Sequence, residues 1–374
     1  LLKVAYSVAG EGRGHASRAR TVGARLLDRG HEVAFLTGGD AMGLLREGFG
    51  DDPRARFIEI PTPRFVYRKK GSGESVSLAR SVWGFLKLAK RIPNEARRVE
   101  ALLRAGGFEP DIIVVDYEPL GYRVAKRFGA PVVALDNQHY FAHARLSGVD
   151  FRSWPYFIGI GLSCRAFCPR KEATLISKCI APETLRASSK AIAIGPLIRP
   201  EISGRRAEVV AEDFLLAYLR PAVAERALAE IGRTGMRTLV YGLGDRPSEG
   251  RIEFRPVSLK AFAEDLVRCR GVVATAGNQM VSEALFLRKP LLLYPEPGQI
   301  EQRINAQLAE KLGAIVTGED RRGAWESFLR FERPPDPGWD RDAAALAVRI
   351  LEAVAARRDP ASVGDFESAP AAKP

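Results

Sequence analysis

His15 closes the run Val8-Ala9-Gly10-Glu11-Gly12-Arg13-Gly14-His15, which joins an apolar, strand-like segment to a helical one. Glycines let a backbone turn sharply and come close to a ligand. A helix N-terminus adds free amides and a partial positive charge. A neutral imidazole at that point can take a proton from an acceptor hydroxyl, or it can simply cap the helix. Asp116 follows the apolar run Asp111–Val115. A carboxylate there can orient an imidazole and stabilise its charged form, or form an Asx turn into Glu118-Pro119. Asp136-Asn137-Gln138-His139 ends a further apolar run, with His143 four residues on. That spacing suits a metal on a helix face, but no carboxylate completes the motif, so a polar wall of the same crevice is the better reading. His15 also stands where a dinucleotide fingerprint needs its third glycine, which argues against NAD.

A second constellation lies in VVATAGNQMVSEALFLRKPLLLYPEPG, residues 272–298. Ala276-Gly277-Asn278 reads as a tight turn opening a helix, again a cradle for a diphosphate. Ser282 and Glu283 follow in that helix. Glu283 stands opposite the stripe of Val281, Ala284 and Leu285, and its carboxylate can accept from a ribose diol, although such a residue alone is more often solvated. Glu301, Gln302 and Asn305 open the next helix, where they can hold sugar hydroxyls or serve as ordinary N-terminal polar residues.

The elements that must position these groups alternate between strand and helix. Strands are expected at Lys3–Val8, Glu32–Thr37, Arg56–Ile60, Asp111–Val115, Pro131–Leu135 and Ala191–Ile194, and helices at Ala16–Arg29, Leu78–Arg104 (broken or kinked at Pro93) and Pro119–Phe128. Thr62–Ser77 (TPRFVYRKKGSGESVS) breaks this rhythm and reads as a mobile loop. Gly195–Pro200 reads as a linker. Beyond it come strands Phe214–Leu219, Thr238–Tyr241, Val272–Thr275 and Pro290–Leu293. The helices there are Ala222–Arg233, Leu259–Arg268, Gln279–Leu287, Gln299–Leu312 and Asp340–Arg357. This is an α/β chain of two parallel-sheet units, divided as 1–195 and 196–338, with a terminal helix over 339–358 and a disordered Pro/Ala/Ser-rich tail over 359–374.

With 374 residues, 46% apolar and 27% charged, the composition is that of a globular protein and excludes disordered, collagen-like and disulfide-scaffold classes. No apolar run reaches 18 residues, and the N-terminal stretch lacks the apolar core and cleavage site of a signal peptide. The four cysteines (Cys164, Cys168, Cys179 and Cys269) form no disulfide framework and no zinc pattern, which suits a reducing cytosol. The net charge of +12 fits a solvated basic surface or an anionic membrane. Nucleic acid is not expected, because the basic residues are dispersed and no RNA- or DNA-binding motif occurs.

AGNQMVSEALFLRKPLLLYP followed by GQIEQRINAQLAEKLGA resembles the donor-site signature of GT-B nucleotide-sugar glycosyltransferases. With GEGRGHASRA, the chain is similar to the group holding family 28, UDP-glucuronosyltransferase-like and teichoic-acid-biosynthesis-related enzymes, over residues 1–320. The resemblance implies two Rossmann-like domains facing across a cleft, acceptor on the first and donor on the second, with the last helix returning to the first. It implies Gly277 and Asn278 at the diphosphate, Glu283 at the ribose, Glu301 and Gln302 at the donor sugar, and Val257 in the loop beside the base. Gly12 and Gly14 belong to the acceptor-side loop, with His15 as catalytic base and Asp116 as its partner. No protein-bound metal and no cofactor are implied. Tyr218-Leu219-Arg220-Pro221 departs from the family's glycine- or serine-rich phosphate turn, and Arg220 is the residue that could replace its charge.

The expected activity is inverting transfer from a nucleotide-diphosphate sugar, a UDP-sugar first. The acceptor would be lipid-linked or a cell-envelope polymer, reached from the cytoplasmic face by a peripheral contact of Arg64, Arg68, Lys69 and Lys70 with anionic membrane. A GT-B-like sugar-nucleotide epimerase and a non-catalytic sugar-nucleotide-binding protein are the alternatives.

Overall fold

The computed structural model describes residues 1–62, 67–70, 73–76, 78–146, 150–179, 184–256, 258–318, 323–339 and 342–363, with only the backbone at 67–70, 73–76 and 78–87. Strand β1 (Lys3–Val8) is buried from Val4 onward. Its apolar residues on both faces are what a strand covered on both sides requires. Val4, Tyr6 and Val8 enter one core and Ala5 the opposite one. Helix α1 (Arg13–Asp28) follows, then β2 (Glu32–Thr37), α2 (Gly39–Phe49) and β3 (Ala55–Glu59). Where a mobile loop is expected over Thr62–Ser77, β4 (Tyr67–Lys70) and β5 (Gly73–Val76) pair instead as a two-stranded sheet. Arg64 lies outside the described residues.

Helix α3 (Leu78–Ala105) runs through Pro93 without the expected break. Then come β6 (Ile112–Asp116), α4 (Pro119–Phe128), β7 (Val132–Asp136), α5 (His139–His143), α6 (Trp154–Phe167), β8 (Ala173–Ile176) and β9 (Ile192–Ala193). The sheet order is β3-β2-β1-β6-β7-β8-β9, and every pairing is parallel. The order reverses between β1 and β6, so the ligand crevice of such a sheet belongs at their carboxyl ends.

The second unit comprises Tyr67–Ser75 and Ile198–Trp339. It runs α7 (Pro200–Ser203), β10 (Glu212–Tyr218), α8 (Pro221–Thr234), β11 (Thr238–Tyr241), β12 (Ile252–Phe254), α9 (Leu259–Arg268) and β13 (Cys269–Ala274). It continues with α10 (Asn278–Phe286), β14 (Leu291–Leu293), α11 (Ile300–Glu310), β15 (Ile315–Val316) and α12 (Ala324–Phe328). Its parallel sheet is ordered β12-β11-β10-β13-β14-β15. The reversal here falls between β10 and β13. Lys289 is buried and its ammonium donates to the Val210, Val267 and Cys269 carbonyls at 2.6–2.7 Å, tying the approach to β10 to the start of β13.

The chain then rejoins the first unit as α13 (Ala343–Ala355), capped by Asp342. Ala347, Val348, Ile350, Leu351 and Val354 join the core that holds Val22 and Leu26 of α1. Glu352 accepts two hydrogen bonds from Arg29, at 2.9 and 3.0 Å, and one from His31 Nε2 at 3.0 Å. His31 Nδ1 accepts from the Leu2 amide at 3.0 Å, so the ring proton must sit on Nε2. Of the expected tail, Pro360–Ser362 form a 3-10 turn and residues 364–374 lie outside the described residues.

Glu118 is buried and caps α4, accepting from the Leu120 and Gly121 amides at 2.9 Å and from the Ser7 hydroxyl. Helix and strand touch there, because a Cβ on Gly121 would meet Ser7 Cβ at 2.5 Å. Burial pushes the Glu118 carboxyl up to about 7, and these three donors offset only part of that. A raised carboxyl holds its proton more tightly folded than unfolded. Its stabilisation is therefore complete below the ordinary value of 4.5 and lost as pH rises through about 7. Relative to Glu118→Gln, the wild type should lose roughly 3 kcal/mol between these pH values. Melting temperatures of the two proteins against pH check this, and parallel curves would contradict it.

Candidate active site

Gly12 takes a left-handed φ of 90° as the N-cap of α1, which no side chain caps. The helix starts at Arg13, earlier than expected, so Gly14 and His15 lie in its first turn and not in the preceding loop. The difference arises because only Gly12 needs the unusual backbone, whereas Gly14 is helical.

His15 meets Asp116, the last residue of β6, across the switch point. Val8 and Asp116 are register partners, and the Ala9 amide donates to the Asp116 carbonyl at 3.1 Å. His15 Nδ1 is 2.7 Å from Asp116 Oδ1. Arg18 Nη2 also lies 3.0 Å from Nδ1, but the shorter contact is to a carboxylate, which only accepts, so the ring proton is placed on Nδ1 and the lone pair on Nε2. Gln138 Nε2 stands 3.4 Å from that nitrogen. Asp116 is fully buried and also accepts from Arg18 Nε at 2.8 Å and Nη2 at 2.7 Å. Burial alone would make the buried Arg18 easier to deprotonate, but Asp116 outweighs it and the guanidinium holds its proton more firmly than usual. Tyr117 adopts φ 49°, a left-handed value that costs a non-glycine residue about 1 kcal/mol or more. Its ring lies parallel to His15 at 6.3 Å, and its hydroxyl shares a 2.7 Å hydrogen bond with Ser163.

A second histidine–carboxylate pair ends the neighbouring β7. Asp136 accepts from the His139 amide at 2.7 Å and contacts His139 Nδ1 at 2.8 Å. Burial pushes this carboxyl up, but the charge and hydrogen bonds of His139 prevail and hold it at about 2. His143 is pushed down to about 4, by burial first and then by the positive charges of His139, Lys171 and Arg186. Neutral, its Nδ1 accepts from the Ser189 hydroxyl at 2.9 Å. Among the described residues no group of three or more His, Cys, Asp or Glu is placed to hold a metal ion.

In the second unit, Gly277 is the N-cap of α10 and supplies no side-chain cap, so the first-turn amides have no side-chain acceptor. Asn305 Nδ2 donates to the Ala276 carbonyl at 2.9 Å and fixes this turn from α11. Asn278 opens the helix, and Ser282 donates its hydroxyl back to the Asn278 carbonyl at 2.7 Å. Glu283 is fully buried, unlike the solvated residue its position suggested. Arg199 Nε and Nη2 donate to its two oxygens at 2.6 and 2.5 Å, and Gln279 Nε2 to Oε1 at 2.7 Å. Arg220 is the N-cap of α8 and pairs with Glu296 at 3.2 Å. Glu296 also accepts from Gln302 Nε2, and its amide donates to Gln302 Oε1 at 3.1 Å. Arg220 and Gln302 thus meet through one carboxylate, while Glu301 sits in the first turn of α11. Val257 lies outside the described residues.

Sequence reasoning missed Arg18, Tyr117, Arg199, Gln279 and Glu296. Arg18 alone had a local signal, a cation one helical turn beyond His15.

A family model described as glycosyl transferase family 1 matches residues 2–330. An uncharacterised glycosyltransferase of Methanosarcina acetivorans is 26% identical over 361 residues, covering 90% of this chain and 87% of the relative. Among solved structures, Arabidopsis thaliana UGT89C1 complexed with UDP-L-rhamnose is similar with a TM-score of 0.60 and 16% identity, over 97% of this chain and 98% of that one. Acinetobacter baumannii MurG has a TM-score of 0.51 and 15% identity, over 88% and 89%. The two parallel sheets are those of the GT-B fold, and the chain, a glycosyltransferase, belongs to glycosyl transferase family 1.

Proposed function

We propose that this glycosyltransferase uses a nucleotide-diphosphate sugar, a UDP-sugar first, and transfers it to an acceptor hydroxyl with inversion. The observation that carries this reading is the His15–Asp116 pair at the carboxyl ends of β1 and β6. His15 Nε2 takes the acceptor proton as the acceptor oxygen attacks the anomeric carbon. The bond from that carbon to the diphosphate breaks on the opposite face, and its electron pair leaves with the diphosphate. One displacement inverts the centre. Asp116 keeps the proton on Nδ1 and faces the charge that forms on the ring.

The first turn of α10, with Gly277 and Asn278, receives the leaving diphosphate. Glu283 binds the ribose with the acceptor capacity that Arg199 and Gln279 leave on it, and Glu301 and Gln302 hold the sugar. Arg220 is the nearby cation of that unit. The named complex of UGT89C1 with UDP-L-rhamnose makes UDP the first nucleotide to test. The acceptor is a lipid-linked or polymeric glycan of the cell envelope or a glycolipid, met at the cytoplasmic face. The encounter proposed is a peripheral one; no helix among the described residues is long and apolar enough to cross a membrane.

Thermal melts with UDP, GDP, dTDP and NAD test the donor. At a hundred times its Kd a ligand stabilises the native state by about 2.7 kcal/mol. UDP should raise the melting temperature, and Glu283→Gln should remove most of the rise while leaving Arg199 a hydrogen-bond partner. A rise with NAD alone would overturn the reading.

A further inference from the structure

Helix α6 is apolar on both faces. Phe157 and Cys164 are buried beneath it, yet Trp154, Ile158 and Leu162, spaced four residues apart along the outer face, are 43%, 56% and 58% exposed. Phe151, just before the helix, is 71% exposed. Arg165 is the only charged residue of its fourteen. A helix this apolar around its circumference is normally covered, and a contiguous exposed patch of this kind marks an interaction surface.

The charge around the patch identifies what covers it. From Phe151 to Lys171 the chain has four basic residues and no acidic one. Arg152, Arg165 and Arg170 are exposed, with no carboxylate partner among the described residues. A second copy docked face to face would set these cations against themselves, with only Asp150 and Glu172 at the edges of the segment to offset four positive charges. An anionic surface would neutralise them, and an interfacial helix with Trp and aliphatic residues on one side and arginines at its border is built for that environment. We infer that the outer face of α6 docks on an anionic lipid bilayer.

The inner face of the same helix supports the site. Ser163 holds the Tyr117 hydroxyl, and Phe167 packs on the Tyr117 ring at 5.1 Å, beside His15. One helix therefore separates the docking face from the catalytic pair, so an acceptor anchored in the bilayer is presented at the correct side of the first unit. The surface differs from the Arg68–Lys70 segment, and its test needs no turnover, so it stands or falls apart from the donor reading.

The full chain is sedimented with phosphatidylcholine vesicles, with and without phosphatidylglycerol, at low and high salt. Wild-type protein should bind the phosphatidylglycerol vesicles, less so at high salt, with tryptophan emission shifting to the blue by a component that Trp154→Phe removes. The triple substitution Trp154→Ser, Ile158→Ser and Leu162→Ser should weaken partitioning at least about tenfold. Arg152→Glu with Arg165→Glu should remove the dependence on phosphatidylglycerol, and this variant decides the matter if the triple variant misfolds. The inference is overturned if wild-type protein does not bind, or if the variants bind as well as it does. It is equally overturned if they alter only the sedimentation-equilibrium mass, which would assign the face to a second copy.

Discussion

Replacing His15 by alanine should lower kcat for sugar transfer by about 10²–10⁴-fold, the range a positioned general base contributes. The donor's KM should change little, because the residues proposed to bind the donor belong to the second unit. The fold should tolerate the change, since the ring is 14% exposed and its removal leaves Asp116 still paired with Arg18. His15→Gln separates geometry from basicity: an amide fills the space and accepts a hydrogen bond but takes no proton. Initial rates at saturating donor, with melting curves alongside, read both quantities. Full turnover in His15→Ala would refute the proposed mechanism and leave the fold assignment intact.

Asp116→Ala should be costly in a different way. The substitution strands the Arg18 guanidinium, 3% exposed, without its carboxylate. Breaking a buried pair from one side typically costs about 3–5 kcal/mol, which lowers the melting temperature of a unit this size by roughly 10 °C. Activity should fall too, because nothing then fixes the His15 proton on Nδ1. Arg18→Met combined with Asp116→Leu removes both charges and should recover most of the stability, with transfer still lost. A double variant as unstable as Asp116→Ala would show that Arg18 is not the source of the cost. Recovery of activity along with stability would show that Asp116 has no part in the chemistry.

The division into alternating strands and helices was legible because fully buried parallel strands are written as short apolar runs, as in Ile112–Val115 and Leu291–Leu293. His15 was legible from the glycines before it, and Asp116 from its place after such a run. Arg18 was not, because an arginine on a helix ordinarily reads as solvated. Its burial depends on a carboxylate 98 residues away. Arg199 was hidden for the same reason: it stands in what reads as a linker, and Glu283 is 84 residues distant. Helix α2 carries Gly39, Gly43 and Gly48, which mask its period, and α6 shows no polar stripe because both of its faces are apolar. Strands β4 and β5 were not legible because Tyr67–Lys70 and Gly73–Val76 are basic or polar runs with little apolar alternation.

Helix α13 also bears on the order in which the chain can fold as it is made. The first unit needs seven buried residues from Ala343–Ala355 to finish a core begun at Val4. The polypeptide between Leu197 and that helix supplies nearly all of the second unit. At about 5–20 residues per second, roughly 17–70 s separate synthesis of β1 from arrival of the helix that covers it. The second unit, nearly contiguous in sequence, can close during that interval while the apolar side of α1 waits uncovered. A nascent chain stalled before Asp342 should therefore present a protease-resistant second unit beside a first unit that chaperones bind, and release of the last segment should end that binding.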